Sequence, residues 1–113
     1  MRGLFGSKTG VDARRAVELV DQGAVVVDVR EQAEWDAGHI PGAIHLPLGE
    51  IARRHSQLPR DTQLIAVCRT GNRSALATES LRRAGLRVEN LEGGMKGWKK
   101  SGLPLAPDDG VIT

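Results

Sequence analysis

The residues best suited to carry out a reaction are Cys68 and the six that directly follow it, namely Arg69, Thr70, Gly71, Asn72, Arg73 and Ser74. Cys68 is the only cysteine of the 113 residues, and a cysteine thiolate is a strong nucleophile. Gly71 can adopt a positive φ, which lets a short loop turn its backbone amides towards one centre. Arg69 and Arg73 add positive charge. These residue types predict a loop that stabilises a sulfur anion and lowers the pKa of Cys68.

The elements on either side of this loop are predicted to place it where anions bind. Residues 63–67 are a short apolar run rich in β-branched side chains, which is typical of a buried strand. Residues 74–84 are rich in alanine and leucine at helical spacing, and Gly85 is a typical helix C-cap. The first amides of a helix lack partners within the helix, and the helix dipole adds partial positive charge. Cys68 is therefore predicted to lie at a strand-to-helix turn that attracts an anion.

Three further segments carry distinct patterns: Val27-Asp28-Val29-Arg30, residues 38–47 (GHIPGAIHLP) and residues 91–98 (LEGGMKGW). Together with the CRTGNRS loop, and in the same order along the chain, they resemble the signatures of rhodanese-like sulfurtransferases. The resemblance extends over most of the chain, from about Val25 to Pro104. It implies a three-layer α/β/α rhodanese-like domain with a five-stranded, mainly parallel sheet.

The hydrophobic pattern agrees with this architecture, because apolar runs alternate with segments of helical period. Strands are predicted at residues 24–29, 43–46, 63–67 and 87–91, and helices at residues 12–20, 31–37, 48–56, 74–84 and 95–100. Residues 1–10 are predicted to be an N-terminal lead or a short edge strand. Residues 11–105 form the rhodanese-like domain, and residues 106–113 are expected to be a flexible C-terminal tail.

The resemblance implies an enzyme that moves sulfane sulfur through a persulfide on Cys68. The thiolate is expected to attack a small anionic donor such as thiosulfate, and cyanide, a thiol or a partner protein's cysteine then removes the outer sulfur. Backbone amides of residues 69–74 hold the persulfide, helped by the hydroxyls of Thr70 and Ser74. This is covalent catalysis, and neither a metal nor another cofactor is predicted.

Four charged residues receive roles around the nucleophile. Arg69 directly follows Cys68, so it is the first choice for binding the donor's oxyanion, with Arg73 second. Arg73 has an equal alternative, which is to pair with Asp28 or another carboxylate and hold the loop. The resemblance assigns Asp28 and Arg30 to the scaffold that supports the loop.

Two other uses of the same fold compete with sulfur transfer. Cysteine-dependent phosphatases and arsenate reductases need Cys-x5-Arg, but the sixth position after Cys68 is Ser74, and Arg73 is one position early. A rhodanese-fold module for protein interaction or sulfur relay is the second alternative. Such modules often lack the cysteine, whereas this chain retains both Cys68 and the basic loop.

Composition excludes several other classes of protein. The 16 basic and 14 acidic residues nearly balance, and basic residues are not interleaved with aromatic ones, so neither nucleic-acid binding nor a nucleic-acid partner is predicted. The longest apolar run is far shorter than a membrane span, and no membrane partner is expected. A single cysteine cannot form an intramolecular disulfide, which suits a reducing compartment and predicts a cytoplasmic location.

Overall fold

One parallel sheet organises the computed structural model, which describes residues 10–113. Its strands within that range are β1 (Gly10–Val11), β2 (Val25–Asp28), β3 (Ile44–His45), β4 (Leu64–Val67) and β5 (Val88–Leu91). They lie in the order β1-β5-β4-β2-β3, and every pairing is parallel. The predicted five-stranded parallel sheet is confirmed.

The helices of the described residues are α1 (Ala13–Asp21), α2 (Gln32–Ala37), α3 (Ile51–Arg54), α4 (Asn72–Arg83) and α5 (Gly94–Lys100). The continuous helix predicted at residues 48–56 is divided, because 3-10 turns at Leu48–Glu50 and His55–Gln57 flank a short α3. Gly49 in the first turn disfavours a regular helix there, since glycine loses the most conformational entropy on folding. No helix among residues 10–113 is long and apolar enough to cross a membrane.

The alternating side chains of β4 pack into two hydrophobic clusters, one on each face of the sheet. Leu64 and Ala66 belong to a cluster that includes Leu81 of α4. Ile65 and Val67 belong to the other cluster, where Ala16, Met95 and Trp98 come from α1 and α5. All four β4 residues are fully buried, as expected for a central strand covered on both faces.

The sheet register aligns the candidate site residues at one edge. Asp28, at the end of β2, is paired with Val67, at the end of β4, so Asp28 lies one position before the level of Cys68 on the neighbouring strand. Asn90 of β5 is paired with Ala66 on the other side of β4. In parallel sheets this carboxyl-terminal edge is where ligand sites form.

The segment after α5 packs back against the region around α2. Ala106 and His39 exchange two backbone hydrogen bonds of 2.8 and 3.0 Å, and the Val111 amide donates to Ala37 O at 2.9 Å. Gly110 is buried. A flexible tail at residues 106–113 would be expected to make fewer contacts than these. Its flexibility stays a prediction. The predicted N-terminal lead falls on residues 1–9, outside the described residues, while Gly10 belongs to an edge strand.

Candidate active site

Cys68 lies at the bottom of a loop whose hydrogen-bond donors point at its sulfur. The Gly71 amide donates to Cys68 Sγ at 3.1 Å, and the Ser74 amide and hydroxyl donate at 3.3 Å each. Cys68 itself is 1% exposed. Residues 68–74, called the Cys68 loop below, therefore surround the sulfur with dipoles whose positive ends face it.

Backbone conformation and helix geometry explain why these donors converge. Gly71 has φ of 110°, a left-handed conformation that strongly favours glycine, and it immediately precedes α4. Ser74 is the third residue of α4, so its amide has no acceptor within the helix and is free to bind the sulfur. The strand-to-helix turn predicted from the sequence is present, with α4 starting two residues earlier than expected.

The N-terminus of α5 fixes the outer side of the Cys68 loop. The Met95 amide donates to Cys68 O at 2.8 Å, and the Lys96 amide donates to Arg69 O at 3.1 Å. A Cβ on Gly94 would lie 2.5 Å from both of those carbonyl oxygens. Gly94 thus permits a close approach of two backbones, and the two amides fix the carbonyl groups of Cys68 and Arg69. Sequence reasoning did not assign this role, although the Gly93-Gly94 pair was a signal for it.

Burial and hydrogen bonding shift the pKa of Cys68 in opposite directions, and the net shift is towards the thiolate. Burial raises the pKa of Cys68, because desolvation penalises the charged form. Hydrogen bonds from the Ser74 hydroxyl and from the amides of Ser74, Gly71 and Thr70 outweigh burial, so the pKa lies below the usual value for cysteine. The direction agrees with the sequence prediction, and the loop amides that it named, joined by the Ser74 hydroxyl, make the contacts to the sulfur.

Asn90 is a buried polar residue that sequence reasoning missed. It is 4% exposed on β5, and its Oδ1 accepts a hydrogen bond from Ser74 Oγ at 2.5 Å. Its Nδ2 donates to Gly71 O at 3.1 Å. Asn90 therefore contacts two of the residues that donate to the sulfur, Ser74 and Gly71. The available signal was a polar side chain within an otherwise apolar strand.

Arg73 pairs with a carboxylate rather than facing the sulfur. Its two terminal nitrogens each donate to one oxygen of Glu34 on α2, both at 2.8 Å. This two-pronged hydrogen bond, with the arginine charge, lowers the pKa of Glu34 to about 2 despite partial burial. Of the two roles left open for Arg73, the geometry agrees with holding the loop, and the partner is Glu34 instead of Asp28.

The remaining residues of the Cys68 loop face outwards. Arg69 is half-buried, donates from Nε to Thr113 O at 2.9 Å, and makes no ion pair within residues 10–113. Thr70 and Asn72 are exposed. Thr70 contributes its amide near the sulfur, so of the two hydroxyls predicted to help, Ser74 Oγ is the one that contacts Sγ.

Asp28 and Arg30 form a fully buried ion pair at the end of β2. Arg30 Nη2 lies 2.7 Å from Asp28 Oδ2, Arg30 Nε lies 2.9 Å from Asp28 Oδ1, and both side chains are 0% exposed. Arg30 Nη2 also donates to Gly38 O at 2.8 Å, which ties the end of α2 to the sheet. Neither side chain is among the hydrogen-bond partners of the sulfur, and the supporting role of the pair stays a prediction.

Three rings stack near the end of α2 and β3. The Trp35 ring stacks on His39 with ring centres 3.6 Å apart and on His45 at 4.8 Å. Each histidine also shares a hydrogen bond with a backbone carbonyl, at Trp35 and Arg30 respectively. Both histidines are thus packed and hydrogen-bonded. Among residues 10–113, no three His, Cys, Asp or Glu side chains cluster closely enough to hold a metal ion.

Comparison with known proteins decides the family. The sequence model of the Rhodanese-like domain matches residues 12–101, which is most of the chain. This protein belongs to the rhodanese-like domain family. The resemblance inferred from four short segments is thereby confirmed.

Rhodanese-like relatives agree with that assignment. A protein named Sulfurtransferase from Allochromatium vinosum is 40% identical over 87 residues, which cover 76% of this chain and 81% of that protein. YrkF from Bacillus subtilis, named as a candidate sulfur carrier protein, is 35% identical over 79 residues, or 69% of this chain and only 43% of YrkF. The crystal structure of a rhodanese-related protein from Thermoplasma volcanium superposes with a TM-score of 0.82 at 34% identity, covering 86% of this chain and 96% of that one.

Proposed function

We propose that this rhodanese-like domain is a sulfurtransferase that carries sulfane sulfur as a persulfide on Cys68. The observation that supports this most directly is the buried Sγ atom surrounded by donors from Gly71 and Ser74. Dipoles stabilise a sulfur anion without neutralising it, so the thiolate keeps its nucleophilic electron pair. Sulfur transfer requires Sγ to alternate between a charged thiolate and a persulfide in which it is bonded to a second sulfur.

The reaction with thiosulfate proceeds in two displacements. The Cys68 thiolate attacks the outer sulfur, the bond between the two donor sulfurs breaks, and the electron pair leaves with sulfite. The enzyme then carries a persulfide whose outer sulfur bears the negative charge. An acceptor such as cyanide, a thiol or a partner protein's cysteine attacks that outer sulfur, and Cys68 leaves as a thiolate. No metal or other cofactor takes part.

Arg69 is the residue we assign to donor binding. It is the loop arginine that pairs with no aspartate or glutamate among residues 10–113, and its side chain is only partly buried. Arg73 holds the loop through Glu34 instead. A cytoplasmic location is part of the proposal, supported by the lone cysteine, because a persulfide carrier needs a reduced thiol.

A phosphatase or arsenate reductase reaction fits this geometry poorly. Those enzymes need an arginine that reaches over the loop to hold a tetrahedral oxyanion, and both arms of Arg73 are occupied by Glu34. The loop also brings Gly71 and Ser74 within 3.1 to 3.3 Å of Sγ itself, which suits a single sulfur atom.

Sulfur relay is the second candidate, favoured by the likeness to YrkF and by the lack of another cysteine. Because Cys68 is the only thiol in the chain, no internal cysteine can take the persulfide sulfur. The acceptor is therefore another molecule. In a relay the donor is a protein-bound persulfide, and thiosulfate turnover is slow or absent.

Intact mass spectrometry before and after exposure to thiosulfate tests the proposal. We expect the mass to rise by one sulfur atom, the gain to be lost on adding cyanide, and Cys68→Ser to gain nothing while remaining folded. If the wild type gains nothing from thiosulfate but gains a sulfur from a protein persulfide, relay replaces thiosulfate turnover. If Cys68→Ser still gains sulfur, or the wild type accepts none from either donor, the proposal is wrong.

A further inference from the structure

The Ser74 hydroxyl faces two hydrogen-bond acceptors at once. Its Oγ lies 3.3 Å from Cys68 Sγ and 2.5 Å from Asn90 Oδ1. A serine hydroxyl carries one hydrogen, so it can donate to one of these atoms at a time. Ser74 is 0% exposed and Asn90 4%, which leaves the choice between these two protein atoms.

The orientation of the Asn90 amide is fixed by a second contact. Its Nδ2 donates to Gly71 O at 3.1 Å. Rotating the amide by half a turn would place Oδ1 against that carbonyl, so that two acceptors faced each other at a buried position. Asn90 therefore presents Oδ1, an acceptor, to the Ser74 hydroxyl.

We propose that Asn90 is a positioning residue that competes with Cys68 for the Ser74 hydroxyl hydrogen and takes it whenever the negative charge leaves Sγ. When Cys68 is a thiolate, the hydrogen points to Sγ, because hydrogen bonds to a charged acceptor are stronger. When Sγ is a thiol, or is bonded to an outer sulfur that bears the charge, the hydrogen turns to Asn90 Oδ1. The change is a rotation about the Cβ–Oγ bond, and no proton leaves Ser74.

This arrangement gives the Ser74 hydroxyl a hydrogen-bond acceptor both when Sγ is charged and when it is not. Without an acceptor at Asn90, the buried hydroxyl would lose its partner each time Sγ lost its charge, which is costly at such a site. If the Ser74 hydroxyl could bond only to the thiolate, the loop would stabilise the thiolate relative to the persulfide and so disfavour persulfide formation. Asn90 thus balances the two states while its Nδ2 holds Gly71 in place.

The charged groups around Cys68 do not depend on this hydroxyl. They are Arg69 on the loop, Arg73 of α4 with its partner Glu34 of α2 and the nearby Glu31, and the Asp28–Arg30 pair at the end of β2. Substitutions at Asn90 and Ser74 leave all of them in the chain, so a change in Cys68 ionisation can be traced to the hydroxyl.

A double-mutant cycle tests the proposal, using wild type, Asn90→Leu, Ser74→Ala and the double variant. The rate of alkylation by iodoacetamide against pH gives the Cys68 pKa without any sulfur donor, so this inference and the proposed function, which it deepens, can fail separately. Removing the competitor should strengthen the Ser74 bond to the thiolate. We expect Asn90→Leu to raise the ionisation constant of Cys68 about three- to tenfold, and to change it less than half as much on a logarithmic scale when Ser74 is alanine.

A second variant loses the same Gly71 contact as Asn90→Leu but has the opposite expected effect on Cys68, so the lost contact cannot explain both results. Asn90→Asp is nearly isosteric and accepts the hydroxyl hydrogen more strongly, so it should lower the ionisation constant, again by less when Ser74 is alanine. Circular dichroism establishes which variants are folded, and the folded cycle decides. Equal effects of the Asn90 substitution with and without the Ser74 hydroxyl would overturn the proposal, as would a lowered ionisation constant in Asn90→Leu.

Discussion

Two neighbouring strands of the sheet lead into buried groups that can carry a negative charge, and the structure stabilises that charge in different ways. At the end of β2, the Asp28 carboxylate meets the full charge of Arg30, and both side chains are 0% exposed. At the end of β4, the Cys68 sulfur is as deeply buried but contacts the amides and hydroxyl of Gly71 and Ser74. One anion is neutralised by a cation and the other is solvated by dipoles.

This difference suits Asp28 to a structural role and Cys68 to a reactive one. A carboxylate held by a bidentate guanidinium is fixed in position and in charge, so it can organise loops but cannot react. A sulfur held by dipoles can lose its charge to a new bond and recover it later. Arg73, one of the two arginines of the Cys68 loop, is itself bound to Glu34, and the hydrogen bonds to Sγ come from the dipoles.

Arg30→Met should have the largest effect on stability. It leaves the Asp28 carboxylate buried without its counter-charge, which typically costs about 3–5 kcal/mol. Chemical denaturation measures the change in the free energy of unfolding. We expect the folded fraction of the variant to retain a reactive Cys68 thiolate, because Arg30 does not contact the sulfur.

The matched control is the double variant Asp28→Leu/Arg30→Met. Replacing both charges by apolar side chains removes the buried unpaired carboxylate, so most of the lost stability should return. If the double variant is as unstable as Arg30→Met, the hydrogen bond from Arg30 to Gly38 O matters more than the charge pairing, and the comparison between the two anions loses its basis.

Gly94→Ala should have the next largest effect, and on the chemical side of the comparison. Its φ is 57°, and the added Cβ would lie 2.5 Å from Cys68 O and Arg69 O. We expect a loss of about 2 kcal/mol or more, since the left-handed conformation alone costs about 1–2 kcal/mol for alanine. Displaced loop amides should also raise the Cys68 pKa in alkylation assays.

Gly97→Ala on the same helix is the control for Gly94→Ala. The nearest atom to its added Cβ would be Glu92 O at 4.0 Å, so nothing has to move. Alanine in a helix interior is favoured over glycine by about 0.5–1 kcal/mol, so this variant should be as stable as the wild type or more stable. Equal losses in the two variants would show that the close approach to Cys68 is unimportant.

The sequence could predict the architecture because its signals are local and repeated. The valines of β2 and the apolar run of β4 indicate strands buried on both faces, and Gly71 indicates a turn before a helix. These signals also placed the nucleophile and its anion-binding turn. Family membership followed from four short segments in the right order.

The contacts that support the loop could not be predicted, because they join residues far apart in the sequence. The pairing of Arg73 with Glu34 spans 39 positions, and a single sequence offers several carboxylates of similar promise. Asn90 reaches Ser74 across 16 positions from a strand that looked purely structural. Backbone contacts of the α5 N-terminus with Cys68 O leave no signal in side-chain chemistry beyond the flexible glycine pair.

Glu34→Gln tests whether the charge on Glu34 stabilises the loop through Arg73. The folded pKa of about 2 is below the usual 4.5, so this carboxylate stabilises the fold fully above pH 4.5 and progressively less as pH falls towards 2. The variant should therefore be less stable near neutral pH by about 1–2 kcal/mol, after allowing for partial solvent screening. Its deficit relative to the wild type should shrink as the pH is lowered to 3.

Glu18→Gln is the control for this pH dependence. Glu18 pairs with Arg15 on α1, but both side chains are about half exposed, so the pair contributes little. Its removal should change the free energy of unfolding by less than about 0.5 kcal/mol at any pH. A Glu34→Gln deficit that is unchanged at pH 3 would mean that shape, and not charge, connects α2 to the loop.

Among the site substitutions, Arg69→Ala should have the smallest effect. It tests whether the full charge of Arg69 helps the dipoles to stabilise the sulfur anion or only attracts the donor. If amides stabilise the sulfur and Arg69 only attracts the donor, the substitution should raise the KM for thiosulfate about three- to fivefold, since an exposed charge contributes about 1 kcal/mol or less. It should leave the KM for an uncharged sulfane-sulfur donor and the Cys68 pKa unchanged. Arg87→Ala makes the same change of charge just before β5, at the opposite edge of the sheet, and controls for net charge. A raised Cys68 pKa in Arg69→Ala alone would show that a full charge helps to hold this sulfur anion after all, and the contrast with Asp28 would then be one of degree.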